Sequence, residues 1–173
     1  MISIIAGKYK GRKLLDVKNL HVRPTQAKVR KSIFQILEPF DNLEILDLYA
    51  GMGTLGIEAL SRGASKVVFV EKNRRVFKIL KKNIDLFEPE KSYLILDDVN
   101  GYLKRVKNHV FDIVLADPPY SEVSFETIKA STKRFLKPNG ILCMEMKREA
   151  INNENVRIKH YGSSQVVFWR NIV

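Results

Sequence analysis

Asp47-Leu48-Tyr49-Ala50-Gly51-Met52-Gly53-Thr54-Leu55-Gly56 follows one apolar run and opens an apolar-periodic one. It reads as a strand, a tight turn and a helix. Gly51, Gly53 and Gly56 fit the G-x-G-x-x-G pattern, in which glycines let the backbone turn sharply, approach a ligand closely and pack helix on sheet. Each glycine costs stability, so three together point to a site. In that pattern an acid about 20 positions on takes the ribose hydroxyls of a nucleotide-like cofactor. Glu71 stands there, directly after Val67-Val68-Phe69-Val70. A glycine turn with no ligand is common, but strand, turn, helix, second strand and acid agree here. The pattern leaves the ligand open, because nicotinamide dinucleotides and S-adenosylmethionine both carry an adenosine ribose.

Two further features bear on that choice. Asp47 ends the first strand four residues before Gly51. A carboxylate there lies outside the dinucleotide fingerprint and would crowd a pyrophosphate, whereas it suits the ammonium and sulfonium of S-adenosylmethionine. The second feature is Asp117-Pro118-Pro119-Tyr120, after the apolar run Ile113-Val114-Leu115-Ala116. Two prolines fix φ and remove two donors, so the chain leaves the sheet in a stiff loop whose carbonyls are free to accept. Such a loop fits methyl transfer to an amino group on a planar ring. Asp117 and the Pro118 carbonyl each accept one amine hydrogen while Tyr120 stacks on the ring. The methyl donor is already activated, so alignment is the main task, a term worth up to ~7–11 kcal/mol. By itself the tetrapeptide reads equally well as a strand-ending turn; its place downstream of the glycine loop is what carries the functional reading.

With these residues in view, the chain resembles the bacterial methyltransferases that modify the exocyclic N2 of a guanine in 16S ribosomal RNA (RsmD-like). The matching stretches are Ile5 to Leu14, Arg23-Pro24-Thr25 with Val29-Arg30, Asp47 to Ala64, and Asp117 to Tyr120. Leu55 to Ala64 is the most family-specific of them. Ala6, Lys10, Lys31 and Met52 depart from the family pattern and leave the glycines, Glu71 and the proline loop intact. The resemblance implies a Rossmann-like class I methyltransferase fold: a mostly parallel seven-stranded sheet, helices on both faces and an antiparallel C-terminal hairpin. It implies S-adenosyl-L-methionine as cofactor, held by Asp47, Ala50, Gly51, Gly53, Glu71, Asp98 and Val99, with Asp98 accepting from the adenine amine. It also implies Asp117, Pro118, Pro119 and Tyr120 as the catalytic loop, and an Arg23-Pro24-Thr25 turn beside the cofactor and substrate entrance.

Charge points the same way. Of 30 Lys and Arg against 19 Asp and Glu, net +11, residues 1–31 hold nine cations and one acid, Asp16. That is +8, leaving +3 for the other 142 residues. A cationic run is most often a solvated face. Here the cations alternate with apolar residues and precede a domain that calls for a nucleobase, so Lys8, Lys10, Arg12, Lys13, Arg23, Thr25 and Arg30 are candidate RNA contacts. About six to ten phosphate contacts would cost ~10³–10⁵ in affinity between 50 and 200 mM salt. No broad apolar face accompanies the cations, so a membrane surface is the weaker partner.

At 173 residues the chain suffices for one domain with an appendage. Residues 1–40 are expected as a basic hairpin-and-helix extension packed on a core of residues 41–173. Ile2–Ala6 and Arg12–Leu15 read as the hairpin's arms. Thr25 reads as the N-cap of a helix whose Val29, Ile33, Ile36 and Leu37 form an apolar stripe, and Pro39 stops it. Strands and helices alternate from Glu44, as in a parallel sheet with helices on both faces. Pro138-Asn139-Gly140 is expected as a turn, and Val156–Tyr161 with Gln165–Trp169 as the terminal hairpin. The lone Cys143 lies in an apolar run and reads as a buried, inert thiol. His21, His109 and His160 lack ligand spacing, so no metal is expected. No run approaches the ~20 apolar residues of a membrane span, and no signal-peptide pattern stands at the N-terminus; a cytoplasmic monomer is expected. The leading reading is guanine-N2 methylation in 16S rRNA, within a small subunit or assembly intermediate. Amino-group methylation of DNA, a non-catalytic RNA-binding module and a nicotinamide oxidoreductase remain alternatives.

Overall fold

The computed structural model describes residues 2–16, 26–119 and 123–172. Helix α1 (Ala27–Leu37) precedes an alternating run. That run is β1 (Glu44–Leu48), α2 (Thr54–Ser61), β2 (Lys66–Glu71), α3 (Arg74–Asp85), β3 (Ser92–Leu96), α4 (Val99–Arg105), β4 (Phe111–Ala116) and α5 (Phe125–Thr132). Strands β5 (Leu136–Lys147), β6 (Val156–Tyr161) and β7 (Ser164–Arg170) close the chain. All seven strands join one sheet in the order β3-β2-β1-β4-β5-β7-β6. The first five run parallel, and β7 lies antiparallel to both β5 and β6. Burial on both faces explains the near-continuous apolar strands. One face packs Ile45, Phe69 and Leu115 against α1, α2 and α3; the other packs Leu46, Val68 and Val114 against α4 and α5.

Three local expectations are corrected. Pro138-Asn139-Gly140 lies inside β5 as an irregularity: β4 pairs Phe111 with Leu136 and then Ile113 with Ile141. Asn139 takes φ 62°, and Asn139 N–H to Asn171 C=O (2.8 Å) and Asn171 N–H to Gly140 C=O (2.9 Å) hold the kink to the C-terminal segment. Helix α1 begins at Ala27 with Gln26 at the N-cap position; Thr25, the expected cap, lies outside the described residues. Helix α4 was not expected; Asp98 caps it, accepting from the Asn100 and Gly101 amides.

The N-terminal segment is laid against α2. Its arms meet through a single bridge, Ser3 to Lys13, with Ile4 N–H to Arg12 C=O and Leu14 N–H to Ile2 C=O both at 2.9 Å. Ile4, Tyr9 and Leu14 join the same core as Val29, Ile33, Phe34 and Ile45. Every residue of α2 is therefore buried, between sheet and hairpin. Glu58, 1% exposed, fixes this contact: its carboxylate accepts from Ile5 N–H (2.8 Å), Ala6 N–H (3.0 Å) and Arg62 Nε (2.9 Å). Replacing it by alanine leaves two amides and the Nε of Arg62 unanswered, while Arg62 keeps its pair with Glu38. Glu58→Ala is expected to cost about 3–5 kcal/mol, read as a lowered urea midpoint with earlier proteolysis of residues 2–16.

Candidate active site

Parallel pairing puts the carboxyl ends of the strands on one rim. Leu48 of β1 lies opposite both Val70 of β2 and Ala116 of β4, and Leu96 of β3 lies opposite Glu71. The glycine loop, Glu71, the Asp97-Asp98 pair and Asp117 thus emerge beside one another, at the edge where open α/β sheets take ligands. The strands that deliver the glycine loop and the proline loop are direct neighbours.

The loop after β1 holds positive φ at Tyr49 (58°), Gly51 (58°) and Gly53 (90°). For Tyr49 this is a costly conformation, of the kind found at functional sites. Glu71 braces the loop: its carboxylate accepts from Gly51 N–H (2.9 Å) and Asn73 N–H (2.7 Å). A carboxylate has about four acceptor sites, so both oxygens keep capacity for a ligand hydroxyl. Gly56 serves packing: a Cβ there would stand 2.2 Å from the Phe69 ring and 2.9 Å from Asp47 Oδ2.

Asp47 is 1% exposed and accepts from Gly56 N–H at 2.9 Å, capping the first turn of α2 from the neighbouring strand. Burial pushes its carboxyl up to about 8, against the opposing pull of the Gly56 amide, and the nearby Asp117 and Glu71 push it further the same way. Three acids converge here, and a cation would relieve them. Ala50 is buried and donates its N–H to Val70 C=O (3.0 Å). Asp98 is exposed and partly engaged as the α4 cap, and Val99 is buried. Asp117 is half-buried, Pro118 buried and Pro119 exposed; Tyr120 lies outside the described residues.

The RNA candidates divide. Lys8, Lys10, Arg12 and Lys13 are exposed on the hairpin. Lys8 pairs with Glu88 at 3.0 Å, and Arg12 lies over the Phe87 ring at 4.7 Å and donates to Leu86 C=O. Arg23 and Thr25 lie outside the described residues. Arg30 is corrected: it is 3% exposed and donates to Ser3 C=O (2.9 Å), so it ties α1 to the hairpin rather than meeting phosphate. Burial lowers its pKa, with Glu58 opposing. Cys143 is buried and its thiol is pushed well up by that burial. Among the described residues no three potential ligands gather as a metal site, and no helix is long and apolar enough to cross a membrane.

One participant was invisible in the sequence. Asn83, fully buried on α3, accepts from Leu15 N–H (2.8 Å) and donates to Leu15 C=O (3.2 Å) and Met52 C=O (3.0 Å). It ties the end of the hairpin to the middle of the glycine loop. An asparagine in a basic helix gives no sequence signal for that.

Sheet order, glycine loop, acid after β2 and antiparallel finish together define the class I methyltransferase fold. The family described as Conserved hypothetical protein 95 matches residues 2–170. The chain belongs to this family, which includes the RsmD-like 16S rRNA methyltransferases. Ribosomal RNA small subunit methyltransferase D of Haemophilus influenzae is 34% identical over 177 residues, spanning 98% of this chain and 92% of that protein. Its namesake in Escherichia coli is 34% identical over 145 residues, spanning 83% of this chain and 71% of its own. The solved structure of yhhF from Escherichia coli matches with TM-score 0.88 and 28% identity, over 99% of this chain and 98% of that one. An RNA methyltransferase from Salinibacter ruber, solved with S-adenosyl-L-homocysteine, shares the fold at TM-score 0.69 and 16% identity, over 87% and 94% of the two chains.

Proposed function

We propose that the protein transfers a methyl group from S-adenosyl-L-methionine to the exocyclic N2 of a guanine in 16S ribosomal RNA. The observation that carries this reading is the direct pairing of β1 with β4, which sets Asp117-Pro118-Pro119 beside the glycine loop. The donor set fits the cofactor: Asp47, Glu71 and Asp117 suit a cationic ligand, and Gly51 and Gly53 hold the positive φ that the turn beside them requires. Asp47, Ala50, Gly51, Gly53, Glu71, Asp98 and Val99 would hold it. Bound there, S-adenosyl-L-methionine would supply an activated methyl on its sulfonium and leave as the neutral thioether, the base nitrogen gaining the methyl and losing one proton.

The chain's own residues orient the base. Asp117 and the Pro118 carbonyl accept the two amine hydrogens, which turns the nitrogen lone pair toward the methyl. The proton leaves to Asp117 or to water, and Tyr120 stacks on the ring. Lys10 and Lys13 on the hairpin meet phosphates. The named relatives support ribosomal RNA as substrate. The test offers methyl-labelled cofactor with unmodified small subunits, large subunits or duplex DNA. Label is expected in small-subunit RNA alone; label in DNA, or NAD(H) binding without transfer, would contradict the reading.

A further inference from the structure

Helix α3 carries a charged face that the reading above leaves unused. Arg74, Arg75, Lys78, Lys81 and Lys82 are all exposed. At 3.6 residues per turn they fall within an arc of ~120°, opposite the buried Val76, Leu80, Asn83 and Ile84. Among the described residues none of the five has a carboxylate within ion-pairing distance, whereas Lys66, Lys129 and Lys137 each pair with an acid. The one acid on the face, Asp85, is the last residue of the helix.

The arrangement works against the helix that bears it. Lys78 has a cation three or four positions away in both directions, a spacing at which like charges repel. Arg74 and Arg75 open the helix, where the macrodipole disfavours cations. A merely solvated face has no reason to keep this pattern, and a polyanion laid along it removes the penalty. The position of the face also matters. Its start adjoins Glu71 through Asn73, whose amide donates to Glu71 at 2.7 Å. Its far end leads to Leu86, Phe87 and Glu88, which receive Arg12 and Lys8 of the hairpin.

We propose that the outer face of α3 is a second phosphate-binding surface for the substrate RNA, continuous with the hairpin at one end and reaching the active-site rim at the other. The proposal rests on the RNA reading given above. Substrate RNA crossing the rim is held along the ~18 Å of α3 as well as at the hairpin, which fixes its direction across the site.

The test compares Lys78→Gln/Lys81→Gln/Lys82→Gln with Lys133→Gln/Arg157→Gln/Lys159→Gln, which removes the same charge from surfaces away from α3. Glutamine keeps helix propensity near that of lysine, and circular dichroism checks the fold. Binding of a labelled 16S rRNA transcript is measured from 50 to 200 mM salt, together with steady-state methylation of unmodified small subunits. The α3 variant is expected to flatten the salt slope by about two units, at ~0.7–0.9 per lost contact. It should raise KM for the subunit about tenfold or more, with kcat and S-adenosylhomocysteine affinity unchanged. Equal slopes and KM in the two variants would overturn the proposal, as would loss of binding to phosphatidylglycerol vesicles with RNA binding intact. The binding arm reads α3 even if no methyl is transferred. An unsubstituted protein that binds no RNA overturns this proposal and the RNA reading together, whereas salt-sensitive binding equal in all three proteins overturns this one alone.

Discussion

Asp117→Ala is expected to lower kcat for methyl transfer by about 10²–10³-fold, the effect typical of removing one preorganised hydrogen-bonding group from a reacting centre. Its effect on cofactor affinity should be small, because easier ionisation of Asp47 offsets the loss of one carboxylate beside the cationic ligand. Asp117 is half-buried at the end of β4 and is one of the two acids that push the Asp47 carboxyl up. Its loss therefore eases ionisation of Asp47 while removing one acceptor for the base amine. Asp117→Asn is the informative partner variant. An amide keeps the one acceptor oxygen the amine needs but cannot take its proton, so activity recovered by asparagine reports orientation and activity still missing reports proton acceptance. Single-turnover methylation beside S-adenosylhomocysteine titration separates the two effects. Equal loss of transfer and cofactor binding would assign Asp117 to the cofactor instead.

Asp47→Asn should stabilise the free protein and weaken cofactor binding together. In the folded chain Asp47 holds its proton up to about pH 8, whereas the unfolded chain gives it up near the ordinary carboxylate value of 3.8. Between these values the folded state binds more protons than the unfolded state, so stability falls as pH rises across that window and levels off above it. The accumulated cost at pH 7 is on the order of 4 kcal/mol, at ~1.36 kcal/mol per unit. Asparagine has no such proton to lose and can still accept from Gly56 N–H. The variant should match the parent near pH 4 and exceed it by several kcal/mol at pH 8 in urea unfolding. Cofactor binding runs the opposite way, because a cationic ligand favours the ionised carboxyl. Affinity of the parent should rise by up to about tenfold per pH unit between pH 6 and 7.5, and Asp47→Asn should lose that dependence. Parallel pH profiles in the two proteins would separate Asp47 from the ligand.

What could be read from the sequence was whatever depended on local chemistry. Gly51, Gly53 and Gly56 mark a turn that only small residues permit, Glu71 falls at the spacing the pattern requires, and two prolines end a strand wherever they occur. The apolar strands are nearly continuous because both faces are covered, and their alternation with helices gives the parallel sheet. What escaped depends on partners far along the chain. Arg30 stands beside the α1 stripe, and only the docking of Ser3 above it makes it a buried tie. Glu58 and Asn83 look like ordinary helix residues until the hairpin amides and the Met52 carbonyl arrive. Pro138 and Gly140 usually signal a turn, but β4 pairs with Leu136 and Ile141 on either side of them and Asn171 bonds Asn139 and Gly140, which keeps the strand going. Helix α4 is short, and the sequence around Asp98 gives no sign that this carboxylate also caps a helix.

The central claim is that the loops after β1 and β4 bring a sulfonium methyl and a guanine amine together. Its most direct measurement is the identity of the methylated nucleoside. Unmodified small subunits are incubated with methyl-labelled cofactor, and their 16S RNA is digested to nucleosides and resolved by mass. Label is expected in N2-methylguanosine, and Asp117→Ala should abolish most of it. Label in N6-methyladenosine or N4-methylcytidine, or labelled guanosine undiminished by the Asp117 substitution, would contradict the account.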